Sequence, residues 1–399
     1  MVDAMANTAE DLLIDSFQFK IPPGASYVTD RRTISYFTAG SNIYQSGSGT
    51  KIIRINLTGD GWLDPSSIRL HYTLVNNNST TGHMLRTIGG PWSFFRRVRC
   101  LIGGALIDDI DYYNRVHEMM HICTTNNNRD NDDVEGFGYR WDSKDVYGAF
   151  TAISMPGIPA SSSINACFKP LCGLLNQNKF IPLMWCPLTF EFEVVSGATD
   201  AIVSPAGDTL ALTFNTANTS TNWQIEDVRM IADVITLDSG LQNSYASHIL
   251  SGQNLPINYS TYVSILQSVS FPNVNVSVTR SVSRLKTVFF NFDVDHTTVT
   301  SSQITSILKD WNSFQHAMNG GYNNTLEMEY QIQIGSKMFP EYPVRSINQA
   351  FYELKKALGI ASSSFHSISP TRYQYQNDHF IAAVDCEKII EAGFTGLNT

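Results

Sequence analysis

The first half of the chain alternates apolar and polar side chains over several short segments. Residues 51–57 and 68–75 are apolar at about every second position, and 188–195 places Phe190 and Phe192 on one face and Glu191 and Glu193 on the other. A period of two residues is typical of a strand that buries one face and exposes the other. These segments therefore predict strands of antiparallel sheets, each with one buried face.

Turn-forming residues separate these runs. Gly103-Gly104 lies between runs 95–102 and 105–110, which predicts a hairpin. In the second half we predict strands at 227–236, 262–269, 274–282, 287–294, 326–334 and 380–386. Helices are predicted only as insertions. Residues 346–358 carry Ala350, Leu354, Ala357 and Leu358 at helical spacing, and Gly359 ends this helix. Residues 301–314 show a weaker helical pattern.

The length and the strand spacing predict two β domains. A chain of 399 residues exceeds the size at which a single core stops growing, about 250–300 residues. The Gly-, Thr- and Asn-rich segment 196–222, with one candidate strand at 209–214, is the best junction, so we divide the chain into 1–210 and 211–399. Because helices are missing between most strands, a parallel α/β fold is excluded. We predict an all-β fold of two tandem antiparallel sandwiches or jelly rolls.

Composition and charge argue against several roles. Charged residues make up 16% of the chain and the net charge is -9, so the bulk of the surface does not favour direct binding to nucleic acid. Arg96, Arg97 and Arg99 form the one candidate basic patch. No run of 18 apolar residues predicts a membrane span, and the polar start of the chain lacks the features of a signal peptide.

The six cysteines contain no CxxC pair, which favours buried thiols in a reducing compartment. Cys167 and Cys172 are the close pair, and a metal or disulfide there is the minor alternative. Asp108, Asp109 and Asp111 are a second minor candidate, for a hard cation, without the spacing of an EF-hand.

One motif carries possible enzyme chemistry. His117, Glu118 and His121 match H-E-x-x-H, which on a helix places two histidines on one face beside a glutamate that activates zinc-bound water. The third ligand is missing from the pattern, although Glu135 or a nearby aspartate lies downstream. No phosphate-binding loop and no G-x-S-x-G elbow is present. We therefore predict no catalytic residue and no cofactor, and keep a zinc peptidase as the alternative.

Several blocks in both halves resemble one family of proteins. They are Pro91–Arg99 with Gly103-Gly104, Asp109–Met119, Gly173–Leu183 before the Phe190 strand, Gln331–Pro343 before the helix at Ala350, Asp385–Lys388 and Gly393–Asn398. In this order they resemble the double jelly-roll major capsid proteins of polinton-like viruses, virophages and nucleocytoplasmic large DNA viruses. In similar proteins an N-R-V-x-E-M run without a metal role occupies the place of the zinc motif.

The resemblance implies a viral major capsid protein built from two eight-stranded jelly rolls. It further implies a homotrimer that forms pseudo-hexagonal capsomers of an icosahedral double-stranded DNA virus shell, located in the virion and assembled inside the infected host cell. Neighbouring capsomers, penton proteins and minor capsid proteins are the expected partners.

The resemblance also supplies more local expectations. In similar proteins further strands follow the block ending at Asn398, so we expect the second roll to be incomplete within this sequence, and a longer form of the chain or a neighbouring chain to complete it. From their length and polarity alone, residues 126–163 and 301–324 are candidate capsomer exteriors or intersubunit contacts. The expected fold residues are Trp92, Phe94, Phe95, Tyr112 and Tyr113 in the first roll and Phe339, Tyr342, Pro343 and Phe351 in the second. A β-sandwich binding module, for example for glycans, is the further alternative.

Overall fold

A computed structural model describes residues 27–45, 47, 51–87, 89–124, 134, 136, 157–198, 200–202, 220–270, 273–292, 328–360, 368, 370–372, 375, 379–389 and 396–399. Its helices are α1 (Tyr113–Ile122), α2 (Ser239–Leu250) and α3 (Ile347–Ala357). Its strands are β1 (Val28–Phe37), β2 (Ile43–Tyr44), β3 (Ile52–Leu57), β4 (Trp62–Leu63), β5 (Arg69–Asn76), β6 (Phe95–Ile102), β7 (Ala105–Ile110), β8 (Ser163–Phe168), β9 (Ile181–Pro182), β10 (Leu188–Val194), β11 (Trp223–Leu237), β12 (Thr287–Phe290), β13 (Glu329–Ile334), β14 (Lys337–Arg345) and β15 (Ala382–Asp385).

The first half forms two antiparallel sheets. In the larger one β11 is central, because its residue Arg229 pairs with β1 through Phe37 on one side and with β5 through His71 on the other. Strands β8 and β9 extend this sheet beyond β5 and β4, and β2 lies beside β11 on the same side as β1. The smaller sheet has the order β3-β10-β6-β7, which includes the predicted β6–β7 hairpin.

A single apolar core fills the space between these sheets. Alternate residues of β5 point into it, with Leu70, Tyr72 and Leu74 fully buried, and Phe190 and Phe192 of β10 meet them from the other sheet. Eight of the described strands in this half have six or more residues: β1, β3, β5, β6, β7, β8, β10 and β11. Because β2, β4 and β9 also belong to these sheets and β11 lies beyond residue 210, the count of eight strands in the first roll stays a prediction.

Strand β11 changes the predicted division of the chain. It lies entirely on the C-terminal side of the boundary between residues 210 and 211, yet its buried side chains Trp223, Ile225 and Met230 belong to the first core. The polar segment taken as a junction precedes the central strand of the first sheet and does not end that domain. We therefore propose a division after Leu237. The candidate strand at 209–214 lies outside the described residues.

A second core lies mainly in the second half, and Ile122 and Cys123 at the end of α1 also belong to it. Helix α3 starts after Ser346, whose hydroxyl accepts a hydrogen bond from the Gln349 backbone N–H at 3.3 Å, and it buries Ala350 and Leu354 against β15. Strands β12 and β15 pair with each other, as do β13 and β14. These are the named strands after β11 among the described residues, so the further strands of an eight-stranded second roll stay a prediction.

The last described residues also pair with this half. Leu285 and Leu397 exchange two backbone hydrogen bonds of 2.7 and 3.0 Å, and the Thr399 N–H donates to the Val282 carbonyl at 3.0 Å. A side chain at Gly396 would lie 2.5 Å from the Leu285 carbonyl oxygen. Glycine therefore permits this close approach, within the block Gly393–Asn398 that carried the resemblance.

Two details of the second half differ from expectation. Residues 262–269 and 273–282 contain no strand, and aliphatic side chains there are exposed, including Ile265 at 52% and Val278 at 60%. Helix α2 was not predicted, although Leu241, Tyr245 and Ile249 have helical spacing; none of its residues is buried. The predicted helix at 301–314 lies outside the described residues.

Among the described residues no helix is long and apolar enough to cross a membrane.

Most of the expected fold residues are in the cores. Trp92, Phe94, Phe95 and Tyr113 are buried in the first core, and Phe351 packs against the second. Tyr112 instead lies at the surface edge with a positive φ of 47°, and Arg96 sits over its ring. Tyr342 is 77% exposed, because β13 and β14 form a two-stranded hairpin with an open face. Neither Tyr112 nor Tyr342 is therefore a buried core residue, and their expected importance for the subunit fold stays a prediction.

Candidate functional site

Helix α1 carries the zinc-like motif, and Trp92 covers it. The Trp92 indole stacks on the His117 ring with a centroid distance of 4.1 Å and an angle of 12°, and it contacts the His121 ring at 4.7 Å. Trp92 is itself only 3% exposed. The indole therefore occupies the space in front of the two histidines, where a metal ion and its substrate would have to lie.

Glu118 serves this packing as a hydrogen-bond acceptor. Its Oε2 atom accepts from Trp92 Nε1 at 2.7 Å, and the side chain is buried. Gly89 lies close on the other side, where a Cβ would be 2.7 Å from Glu118 Oε2. A glutamate held this way positions a tryptophan and is not placed to activate a water molecule between two histidines.

His117 is held as a neutral ring. The Tyr113 hydroxyl accepts a hydrogen bond from the Leu171 backbone N–H at 2.8 Å and lies 3.0 Å from His117 Nδ1. Which of the two groups donates in this contact depends on the tautomer of the His117 ring. Burial, with a smaller effect of His121, holds the pKa of His117 well below its usual value.

These contacts do not support the zinc alternative. Within the described part of the chain no group of three or more His, Cys, Asp or Glu side chains is arranged to hold a metal ion. Glu135, the downstream candidate ligand, lies outside that part. The H-E-x-x-H match therefore describes a helix packed on an aromatic core, with His117, Glu118 and His121 each in contact with Trp92.

The neutral His117 gives a pH prediction. Because its pKa is lowered on folding, the unfolded chain binds a proton that the native state does not, so stability is lost as pH falls below the unfolded value of about 6.5. We expect the free energy of unfolding to fall by up to about 1.4 kcal/mol between pH 7.5 and 5.5 from this group. Urea denaturation of wild type and His117→Gln measures it. His248→Gln, at an exposed histidine, is the control, and its free energy of unfolding should change with pH as that of the wild type does. The same change in the wild type and both variants would contradict the role of His117.

The arginines of the candidate basic patch are all near carboxylates. Arg97 makes two hydrogen bonds to Asp109, of 2.7 and 2.6 Å, which lower the pKa of that carboxyl. Arg99 and Arg54 both contact Glu191 from neighbouring strands, and Arg96 lies 3.7 Å from Asp111. The outer face of the smaller sheet therefore carries cross-strand ion pairs and not an uncompensated positive surface.

The aspartates and cysteines do not assemble a cation site either. Asp108 points into the core while Asp109 pairs with Arg97 on the opposite face. The cysteines in the described residues form no disulfide, and Cys172 is buried beside Cys100. Its hydrogen bond with Cys100, together with burial, raises the pKa of the Cys172 thiol well above its usual value. It is a protonated thiol whose Sγ lies 3.2 Å from Asp108 Oδ2.

The candidate contact loops are mostly outside the described residues. Of 126–163 the structure describes 134, 136 and 157–163, and of 301–324 it describes none. The sequence did not predict two features of the structure: the hydrogen bond between Trp92 and Glu118, and the burial of Asp108. In both cases the residues in contact are far apart in the sequence and follow no motif, so no sequence pattern predicted the contact.

Two facing antiparallel sheets, followed by a second set of strands around a separate core, give this chain an all-β, double jelly-roll fold. No protein-family model matches the chain, and no curated protein matches it by sequence. Solved structures match it in fold. The crystal structure of VP54 of PBCV-1, fitted into a cryo-EM reconstruction of the virophage Sputnik, has a TM-score of 0.55 and 14% identity, covering 96% of this chain and 83% of that chain. The quasi-atomic model of the PBCV-1 virus capsid has a TM-score of 0.54 and 12% identity with the same two shares. At such identities the likeness concerns the fold.

Proposed function

We propose that this protein is a viral major capsid protein, a structural subunit that acts by assembly and not by catalysis. The proposal rests mainly on the extent of the fold similarity. This similarity covers 96% of the chain in the comparisons with VP54 of PBCV-1 and with the PBCV-1 capsid model. Because a fold can host unrelated functions, the site chemistry has to agree as well. In the described residues the H-E-x-x-H side chains pack on Trp92, as expected of a structural element.

The surface composition supports the same role. Charged residues are few, at 16%, and those on the outer face of the smaller sheet are largely compensated by ion pairs. Surfaces that meet other subunits over large areas are depleted in charge. The net charge of -9 does not favour direct contact between the bulk of this surface and a genome.

The finer proposal is a homotrimer. Three chains with two rolls each would form a pseudo-hexagonal capsomer that tiles the icosahedral shell of a double-stranded DNA virus. The contacts of such a ring are heterologous, one patch meeting a different patch on the next copy. Neighbouring capsomers, penton and minor capsid proteins would be its partners in the virion, with assembly inside the infected host cell.

Light scattering of the purified full chain tests this proposal. We expect a species of three times 44.4 kDa, or about 133 kDa, that persists on dilution to low micromolar concentration, because stable interfaces of this kind bury roughly 2,000 Å² or more. A monomer at high concentration would contradict the trimer. A zinc peptidase or a glycan-binding sandwich predicts a monomer or a small symmetric oligomer and no shell.

A further inference from the structure

A segment after α2 crosses back over the first roll without forming a strand. We call residues 257–264 the strap. Ile257, Tyr259 and Tyr262 of the strap lie partly buried against the first core. At its start the Lys179 ammonium group donates to the Pro256 carbonyl at 2.8 Å. No backbone ladder holds the strap in the described structure, so side-chain contacts have to fix it.

The carboxylate of Asp108 on β7 is the centre of those contacts. It is buried at 3% exposure, and it accepts hydrogen bonds on both oxygens. Oδ2 accepts from the Gly173 backbone N–H at 2.9 Å and from the Cys172 thiol at 3.2 Å, and Oδ1 accepts from the Thr261 hydroxyl of the strap. A buried carboxylate needs such donors, because an unpaired charge in a core is strongly unfavourable.

Two further contacts hold the strap close to the same hairpin. The Ser264 hydroxyl donates to the Asp111 carbonyl, and the Tyr259 hydroxyl lies 3.4 Å from the Ile107 carbonyl. The fit against the loop at Gly173 is tight: a Cβ there would lie 2.2 Å from the Ser260 carbonyl oxygen. The strap therefore sits directly over the Cys172–Gly173 turn.

We propose that Asp108 is a latch that locks the strap onto the first roll and thereby fixes the chain that leads into the second core. The contact stabilises both partners, because release of Thr261 would also leave the buried Asp108 carboxylate with one hydrogen-bond donor fewer. The latch also covers the Cys172 thiol. This inference concerns the single chain and stands whether or not the chain assembles into a shell.

Cysteine labelling of the full chain tests the latch. In Thr261→Val the strap loses its donor to Asp108 at nearly constant volume, and we expect N-ethylmaleimide to modify Cys172 at least about tenfold faster, the factor that corresponds to one lost hydrogen bond to a charged group. Mass spectrometry of the labelled peptides locates the modified thiol. Cys100 is the internal reference, because it is fully buried in the same core and becomes accessible only if the core itself opens.

Asp108→Asn should act in the same direction, and Asp109→Asn is its matched control. Asp109 is the next residue on β7, carries the same charge and contacts Arg97 instead of the strap. The latch predicts faster labelling of Cys172 alone in Asp108→Asn and Thr261→Val, with wild-type rates in Asp109→Asn. Unchanged Cys172 labelling in Thr261→Val would overturn it. So would equal acceleration at Cys100 and Cys172, since that pattern reports a generally weakened core.

Discussion

Trp92→Ala is expected to lower the free energy of unfolding of the first roll by about 4 kcal/mol, the middle of the range for deleting a buried large aromatic side chain. Trp92 is 3% exposed and stacks on His117 at 4.1 Å. Its removal would leave a cavity between α1 and β8 and would also leave Glu118 buried without its donor. Guanidinium denaturation followed by circular dichroism measures the loss.

Two further variants separate the ring from the hydrogen bond. Trp92→Phe keeps an aromatic ring but removes the N–H that donates to Glu118 Oε2 at 2.7 Å, and we expect a loss of about 1–3 kcal/mol. The double variant with Glu118→Met should recover much of that loss, because both polar partners are then absent. If Trp92→Ala and Trp92→Phe were both neutral, the packed arrangement of the motif would be wrong.

Met230→Asp is expected to destabilise the first roll by at least about 4 kcal/mol, because it places an unpaired carboxylate in the core. Met230 is fully buried on β11 and pairs with Leu70 of β5 on one side and Tyr36 of β1 on the other. Hydrogen exchange should then show loss of protection throughout β1, β5 and β11.

The adjacent position is a matched control. Ile231 is partly exposed on the opposite face of β11 and pairs with Arg69 and Ser35. Ile231→Asp introduces the same group beside an arginine and should change stability by less than about 1 kcal/mol. Equal effects of the two substitutions, or loss of protection confined to residues after 250, would contradict the place of β11 in the first sheet.

Local pattern was sufficient for β3, β5, β6, β7 and β10, whereas β1 and β8 of the larger sheet were not predicted. In β5 alternate side chains are buried, as the sequence indicates; in β10 Glu191 departs from the alternation, because it is buried between Arg54 and Arg99. The division of the chain was not predictable in the same way, because the partners of β11 lie far away: Trp223 pairs with Asn76. A polar segment marks an interruption in the chain, but it does not say whether a domain has ended.

In the second half, local pattern predicted a strand that the structure does not contain. Residues 262–269 have the composition of a strand, yet a strand also needs a partner, and among the described residues none pairs with them. For the candidate site, the sequence showed His117, Glu118 and His121 on one helix but not what faced them. Trp92 precedes them by 25 or more positions, and only the fold brings its indole over the motif.

Electron microscopy of the purified protein tests the central claim most directly. If the chain is a capsid subunit with two jelly rolls, class averages of the trimer should show six lobes around a three-fold axis, with two lobes for each chain. A particle with one copy of the chain, or an oligomer without a pseudo-hexagonal outline, would contradict the account.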